Sequence, residues 1–162
     1  MPLSERLRSF LYSHQAEYTL TTHPAMFTAR GLAIAEHPRP DEAAKAVVIF
    51  GDAAYHMVVI SAGKLVDLSE SRAALGLLQA RLATESELGA LFPDCELGAM
   101  PPPGPVYGLA VSLDDSLIGQ DTIAFNAGTH SEAIHMRTVE FHRLVSPRLV
   151  SLGREPVDTH AW

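Results

Sequence analysis

Two short apolar runs in the middle of the chain constrain its fold more than any other feature of the sequence. Residues 45–50 are KAVVIF and residues 55–61 are YHMVVIS, and both are rich in β-branched side chains. Gly51 and Asp52 lie between them and favour a tight turn. The pattern therefore predicts a β-hairpin, with a short third strand at 65–68.

The other predicted elements come in clusters of strands and clusters of helices. Helical spacing and capping residues predict helices at 3–14, 28–35, 69–78, 84–92 and 138–145. Short β-rich runs predict strands at 17–21, 106–113, 122–125 and 134–137, and the tail from 147 is expected to lie over the surface. Without a steady alternation of strand and helix, a doubly wound parallel sheet is disfavoured. We expect a single α+β domain, residues 1–162, with a mixed, curved sheet.

Composition excludes several classes of protein. Apolar residues make up 47% of the 162 residues and charged residues 19%, a normal globular mixture. No apolar run is long enough for a membrane span, and the charged N-terminus differs from a signal peptide, so we expect a cytoplasmic protein. The single cysteine, Cys95, forms no internal disulfide. A net charge of −7 argues against a general nucleic-acid coat protein, but it is compatible with a protein that binds only the end of an RNA.

Familiar catalytic signatures are absent from the sequence. There is no GxSxG elbow, P-loop, HExxH or GxGxxG motif. The eight histidines are scattered, which disfavours a metal site. Asp114 and Asp115 are adjacent carboxylates, and a solvated turn is favoured over acid–base catalysis there. From the residues alone, the segment 93–105, with its five prolines and two glycines, favours an irregular surface turn.

Five segments in order nevertheless resemble the YbaK/prolyl-tRNA-editing deacylase family, also known as the synthetase-associated domain. They are His23-Pro24 with Thr28-Ala29, Lys45 opening its strand, the LGAMPP loop with Gly98 and Pro102, LDDSL at 113–117, and FNAGTH at 125–130. The likeness extends over about residues 20–145. It implies a compact α+β fold with a mixed, barrel-like sheet flanked by helices.

The resemblance also implies an activity. Family members hydrolyse the ester joining a wrong amino acid to the terminal ribose of tRNA, so we expect a free-standing, metal-independent deacylase that needs no cofactor. Its expected substrate is Ala-tRNA(Pro), with Cys-, Ser- and Thr-tRNA left open. The expected partner is the tRNA acceptor end, with prolyl-tRNA synthetase as a candidate second partner. The alternatives are a non-catalytic module that binds tRNA or a synthetase, and a hydrolase of another small ester or thioester.

Catalytic residues are carried over from the family position by position. Residues 98–102 place the backbone N–H groups of Gly98, Ala99 and Met100 where they can stabilise an oxyanion, which is worth ~3–4 kcal/mol per donor in known cases. Lys45 is expected to position the phosphate or ribose as a point charge, although a lysine there also suits an exposed strand end. His130 follows a turn that is expected to leave its ring projecting, and it is expected to tune proton transfer.

Substrate-binding residues are likewise implied by the resemblance. Met26, Phe27 and Thr28 match the segment that walls the amino-acid pocket, where a small cavity would reject the larger, correct amino acid. For Met26 and Phe27 an ordinary core role is equally favoured. Pro102 and Gly128 complete the expected substrate-binding set.

Overall fold

The computed structural model describes residues 4–22 and 42–154. Within them the chain forms four helices: α1 (Glu5–Ser13), α2 (Leu68–Leu75), α3 (Glu85–Leu91) and α4 (Thr138–Val145). The strands of the described part are β1 (Thr19–Thr22), β2 (Ala44–Gly51), β3 (Ala54–Ser61), β4 (Leu65–Val66), β5 (Arg81–Leu82), β6 (Val111–Asp114), β7 (Thr122–Asn126), β8 (Glu132–Arg137), β9 (Arg148–Val150) and β10 (Gly153–Arg154). The α+β class is therefore confirmed, while the predicted helix at 28–35 lies outside the described residues.

The predicted hairpin is confirmed and forms the centre of a five-stranded sheet. β2 and β3 pair antiparallel, with Lys45 opposite Ile60 and Gly51 opposite Ala54. β5 pairs antiparallel with β2, whereas β6 and β9 add in parallel beside β3, giving the order β5-β2-β3-β6-β9. The sheet is thus mixed, as expected.

A second, three-stranded antiparallel sheet has the order β1-β8-β7. One parallel bridge, between Ala43 and Ala124, joins the start of β2 to β7. A pair of very short strands, β4 and β10, forms the remaining sheet. The five-stranded and three-stranded sheets therefore meet at this bridge, but the described strands form no closed barrel.

Both faces of the five-stranded sheet are covered, which explains the continuous apolar runs of β2 and β3. The larger core cluster fills the space between this sheet, the three-stranded sheet, α1 and α4, and it contains Val48, Phe125 and Ile134. A smaller cluster covers the opposite face and contains Ile49 and Ile60. The cluster in which a strand residue packs therefore shows to which face of the sheet its side chain points.

Capping residues set the ends of the helices. Thr84 and Glu87 form the predicted capping box of α3, with each side chain accepting from the other residue's backbone N–H. Ser4 caps α1, and its hydroxyl accepts from Leu7 N–H. Asp67 caps α2, which begins one residue earlier than the sequence predicted.

Two sequence predictions were wrong in the second half of the chain. The strand expected at 106–113 is only Val111–Asp114, because the proline-rich segment first forms a 3-10 turn at Gly104–Tyr107, which ends at Gly108 with φ of +72°. The tail was expected to lie over the surface, yet β9 joins the five-stranded sheet and Leu152 is fully buried. The first error has a local cause, the turn formed by the prolines, whereas the second involves a strand partner far away in sequence.

Candidate active site

Two loops at one end of the three-stranded sheet are locked together by backbone hydrogen bonds. We call them the Gly98 loop (residues 96–102) and the His130 turn (residues 127–130). Glu96 N–H donates to the Gly128 carbonyl at 2.8 Å, and Gly128 N–H donates to the Ala99 carbonyl at 3.0 Å. The two bonds use both backbone polar groups of Gly128, so they fix the Gly98 loop and the His130 turn to each other at this residue.

His130 holds the two loops together through its ring and its backbone. Its Nε2 lies 2.7 Å from the Leu97 carbonyl oxygen, and its backbone N–H donates to Glu96 Oε2 at 3.1 Å. The side chain is 4% exposed, so the predicted projecting ring was wrong. Since a carbonyl can only accept, Nε2 carries a proton here and donates it to Leu97.

Gly98 is required by the geometry of this contact. Its φ of +86° lies in the left-handed region, and a Cβ added there would lie 3.4 Å from His130 Cε1. An L-residue at this position would therefore be strained by its backbone conformation, and its Cβ would contact the imidazole ring.

The three expected oxyanion donors are not equivalent in this structure. Ala99 is fully buried and its N–H donates to the Glu96 carbonyl at 3.0 Å. Gly98 N–H donates to the Met100 sulfur at 3.2 Å, and sulfur is a weak acceptor. Gly98 N–H is therefore better able than Ala99 N–H to turn to a substrate oxygen, because the Ala99 N–H is already bonded within the loop.

Lys45 lies on the opposite side of β2 from the larger core cluster. Alternate residues Val47 and Ile49 pack in the smaller cluster, and Lys45 shares their face. Its side chain is half-buried, and this burial lowers the pKa of its amine below the ordinary lysine value. A partly desolvated ammonium gains more from an anionic ligand than an exposed one does.

Asn126 is a further candidate site residue, which the sequence analysis included only as part of the FNAGTH segment. It is 5% exposed, and its Oδ1 has no hydrogen-bond partner among the described residues. Neighbouring Phe125 packs in the larger core cluster, so Asn126 points away from that cluster. Its signal in the sequence was a polar amide in an otherwise apolar strand, TIAFN.

Strand register gives Lys45 and Asn126 matching positions on the two strands joined by the parallel bridge. Ala43 and Ala124 form a parallel bridge, and each of the two residues stands two positions beyond it on its own strand. Both point away from the larger cluster. On the same side of β8 lies His135, whose Nε2 is 3.2 Å from Thr21 Oγ1. We call this surface the polar face, defined by Lys45, Asn126 and His135.

Comparison with known proteins identifies the family. The sequence model of the aminoacyl-tRNA editing domain matches residues 23–144, three quarters of the chain and all of the candidate site. The chain belongs to the aminoacyl-tRNA editing domain family.

Relatives of the editing domain agree with this assignment. The chain is 28% identical over 155 residues to the multifunctional Ser/Thr-tRNA deacylase ProXp-y of Escherichia coli strain K12, covering 93% of this chain and 92% of the relative. A solved candidate trans-editing enzyme for prolyl tRNA synthetase superposes with a TM-score of 0.79 at 22% identity, over 94% of this chain and 99% of that one. A scaffold protein used in computational epitope grafting gives a TM-score of 0.84 at 20% identity, over 96% and 99%. The two structures establish the shared fold.

Behind the His130 turn of this editing domain lies a polar cluster made by Ser4, Asp94, Cys95 and Tyr107. The Tyr107 hydroxyl donates to Asp94 Oδ1 at 3.1 Å and lies 3.1 Å from both Ser4 Oγ and Cys95 Sγ, while Ser4 also donates to Asp94. Burial raises the pKa of the Cys95 thiol to about 12. That thiol is therefore a poor nucleophile, and the cluster supports the loops structurally.

The remaining expected site residues have different positions. A Cβ on Gly128, whose φ is +94°, would lie 3.4 Å from Cys95 Sγ, so this glycine packs against the polar cluster. Pro102 is buried, and its carbonyl accepts from Gly104 N–H at 2.7 Å. Met26, Phe27 and Thr28 lie outside the described residues.

The described segments also bear on metals and membranes. Residues 4–22 and 42–154 hold no group of three or more His, Cys, Asp or Glu side chains placed to share a metal ion. No helix in that part of the chain has the length and apolar character of a membrane span.

Proposed function

We propose that this editing domain is a trans-acting deacylase that hydrolyses the ester between a wrongly attached small amino acid and the terminal ribose of tRNA. The observation that carries the proposal is the rigid junction of the Gly98 loop and His130 turn, next to a polar face with a half-desolvated lysine. Membership of the family supplies the class of substrate.

The reaction needs charge stabilisation more than a strong nucleophile, because an aminoacyl ester is already activated. Water attacks the acyl carbon and charge develops on the carbonyl oxygen. In the proposal the N–H groups of Gly98 and Met100 donate to that oxygen, while Ala99 and Pro102 hold the loop in place. The intermediate then collapses, the acyl C–O bond breaks, and the ribose oxygen leaves with a proton from the attacking water.

The polar face binds the substrate on either side of the ester. Lys45 pairs as a point charge with the terminal phosphate, which compensates the desolvation of its ammonium. Asn126 Oδ1 is a buried acceptor that needs a donor, and the α-ammonium of the amino acid supplies one. Together the two residues fix the ester from its RNA end and from its amino-acid end.

His130 tunes the reaction from the loop side. Its Nε2–H is held by the Leu97 carbonyl, so in the proposal the ring acts through the shape of the Gly98 loop, which sets where the attacking water is oriented. A free ribose hydroxyl of the substrate can share that task, which accounts for chemistry without a catalytic triad. Gly128 contributes through its turn, which sets the position of the His130 imidazole relative to the Gly98 loop.

The proposed amino acid is alanine, carried on tRNA(Pro). Serine and threonine are the second candidates, because the Escherichia coli relative is named a Ser/Thr-tRNA deacylase. Their hydroxyl would offer a second donor for Asn126. Met26, Phe27 and Thr28 are proposed to wall the pocket and to exclude proline by size.

A deacylation panel tests the proposal and the amino acid together. Release of amino acid is measured from Ala-tRNA(Pro), Ser-tRNA and Thr-tRNA, with the wild type, Asn126→Ala and the acceptor-retaining Asn126→Asp. If Asn126 binds the α-ammonium, Asn126→Ala lowers kcat/KM equally for all three, and Asn126→Asp restores it. If Asn126 instead binds the side-chain hydroxyl, Asn126→Ala lowers kcat/KM for Ser-tRNA and Thr-tRNA but leaves kcat/KM for Ala-tRNA(Pro) unchanged.

Other outcomes would replace the proposal. A protein that leaves every aminoacyl-tRNA intact yet binds tRNA or prolyl-tRNA synthetase is a non-catalytic module. Equal activity on simple amino-acid esters and on tRNA would indicate a general small-ester hydrolase. The acidic net charge of −7 favours a partner, with prolyl-tRNA synthetase proposed to supply part of the RNA affinity.

A further inference from the structure

A second surface lies at the far end of the β7–β8 hairpin from the candidate active site. An open groove of about 550 Å³ is formed there by the segment 118–121 and by the start of α4 with the residue before it. This volume falls in the ~300–1,000 Å³ range of small-molecule sites. None of the groups proposed for ester hydrolysis lines it.

The groove combines apolar and polar side chains in the way that one nucleotide requires. Ile118 and Val139 are 42% and 64% exposed, so two aliphatic side chains offer an uncovered surface for the face of a base. Arg137 is exposed, and no hydrogen bond or ion pair joins its guanidinium to the residues that the structure describes. An exposed, planar guanidinium that makes no such bond is well suited to bind a phosphate.

Three further polar side chains in the lining add to the match with a nucleotide. Thr138 lines the groove and is 5% exposed, and its hydroxyl has no hydrogen-bond partner among the described residues. Asp121 brings a carboxylate that would repel a bare phosphate but can accept from a ribose hydroxyl or a base amine. An imidazole, that of His142, completes the lining.

The charge of Arg137 is available for a ligand. The nearest acid on α4, Glu140, has its carboxylate bound by Arg143 at 2.7 Å and by Glu17 N–H at 2.8 Å. The hydrogen bond from Arg143 contributes most to holding the pKa of Glu140 down at about 2 and the charge of Arg137 contributes least, so that carboxylate is bound mainly by its own partner. Asp121 is the other acid facing the groove, and its backbone carbonyl accepts from Thr138 N–H.

Strand register connects the groove to the polar face. Arg137 and His135 project from the same side of β8, and Arg137 pairs with Thr122, four residues before Asn126 on β7. Four strand residues span roughly 13 Å. A stacked nucleic-acid strand covers that distance in about four nucleotides at ~3.4 Å per step.

We propose that this groove binds one nucleotide of the RNA strand upstream of the terminal ribose, with Arg137 on its phosphate, Asp121 on its ribose hydroxyl, and Ile118 and Val139 against its base. The inference rests on the proposed function, because the ester held at the polar face sets where the strand begins. It also gives an acidic protein a local site for RNA.

The test compares a substrate that reaches the groove with one that does not. Steady-state kinetics are measured on aminoacyl-tRNA and on the same amino acid esterified to adenosine alone. Arg137→Ala is expected to raise KM for tRNA about tenfold with kcat unchanged, and to leave the adenosine ester unaffected. The slope of log(kcat/KM) against log salt should shrink by about 0.7 for one lost phosphate contact.

The matched control is Arg148→Ala, which removes the same charge from exposed β9. Val139→Ser changes an exposed side chain and should raise KM for tRNA about threefold. If Arg137→Ala and Arg148→Ala behave alike on both substrates while the wild type deacylates tRNA, the groove proposal is overturned and the proposed function stands.

A binding measurement keeps the groove testable even if deacylation fails. Fluorescence anisotropy with a short single-stranded RNA ending in CCA should show weaker binding by Arg137→Ala than by Arg148→Ala. Equal binding by the two variants, or capture of prolyl-tRNA synthetase through this groove without RNA binding, would contradict the proposal.

Discussion

The junction of the Gly98 loop with the His130 turn adjoins the polar face where Asn126 meets Ala127, yet the two regions are built in opposite ways. In the loop, backbone groups and the His130 ring are already bonded to one another, at 2.7–3.0 Å. On the polar face, Lys45 is half-desolvated and Asn126 Oδ1 lacks a partner among the described residues. One region is preorganised before substrate arrives, whereas the other is completed by it.

This difference predicts how each region responds to substitution. A preorganised donor set acts on the transition state, so damage to the loop should lower kcat. Unsatisfied groups that await a ligand act on binding, and removing them should leave the free protein as stable as before or more so. Substitutions in the polar cluster behind the loops should lower stability more than they lower activity.

The largest effect is expected from Gly98→Ala. The new Cβ would meet His130 Cε1 at 3.4 Å from a left-handed backbone, displacing the N–H groups of the loop. Loss of one such donor lowers kcat by ~10²–10³-fold, which we expect here in single-turnover deacylation. Gly76→Ala is the matched control, since its φ is +70° and its Cβ would meet nothing within 4 Å.

Both glycine variants should lose about 1 kcal/mol of stability in urea unfolding from the strained backbone. Equal kcat in the two variants would show that the loop geometry has no catalytic role.

A smaller kinetic effect, with the opposite effect on stability, is expected from Lys45→Met. Loss of the ammonium should reduce kcat/KM for aminoacyl-tRNA by roughly 30-fold, mainly through KM. Because the charged form is penalised by burial, the variant should unfold at the same urea concentration as the wild type or a higher one. Lys64→Met, which removes an amine 3.9 Å from Asp114, serves as the control and should lose only stability.

The pH dependence of stability gives Lys45 an independent signature. Its folded pKa lies below its unfolded value, so the unfolded chain binds more protons between the two. Wild-type stability should therefore gain a component as pH rises through that alkaline window, up to about 10.4. Lys45→Met should lack this component in urea titrations across that window, and an identical pH profile would argue against the buried amine.

The smallest catalytic effect is expected from Tyr107→Phe. The variant removes a hydroxyl shared by Ser4, Asp94 and Cys95, which should lower the free energy of unfolding by about 1–2 kcal/mol. Activity at 25 °C should fall only a few-fold, because the loops keep their own hydrogen bonds. A catalytic loss as large as that of Gly98→Ala, at unchanged stability, would assign the cluster a direct chemical role.

Local rules explain the parts of the fold that the sequence predicted. Turn residues set the β2–β3 hairpin, the Thr84–Glu87 pair set the start of α3, and α4 has the predicted bounds. The strand at 106–113 was too long because Pro103 and Pro105 favour a tight turn whose effect extends to Gly108. Strands β9 and β10 depend on pairing with distant partners, which periodicity does not reveal.

The candidate site was predictable only in part, for the same reason. Lys45, the loop and His130 follow from an ordered resemblance, whereas Asn126 becomes a candidate only when β7 is placed beside β2. The His130 ring was expected to project, but its partner, the Leu97 carbonyl, lies 33 positions away in the chain. The sequence therefore did not predict the surroundings of side chains whose neighbours are distant in the chain.

Release of amino acid from matched aminoacyl-tRNAs tests the central proposal most directly. Wild type, Lys45→Met and Gly98→Ala are each incubated with Ala-tRNA(Pro), Ser-tRNA, Thr-tRNA and correctly charged Pro-tRNA(Pro). The proposal predicts rapid loss of at least one small amino acid, retention of proline, and slower reactions with both variants. Intact esters throughout, or hydrolysis that is indiscriminate and equal in all three proteins, would contradict it.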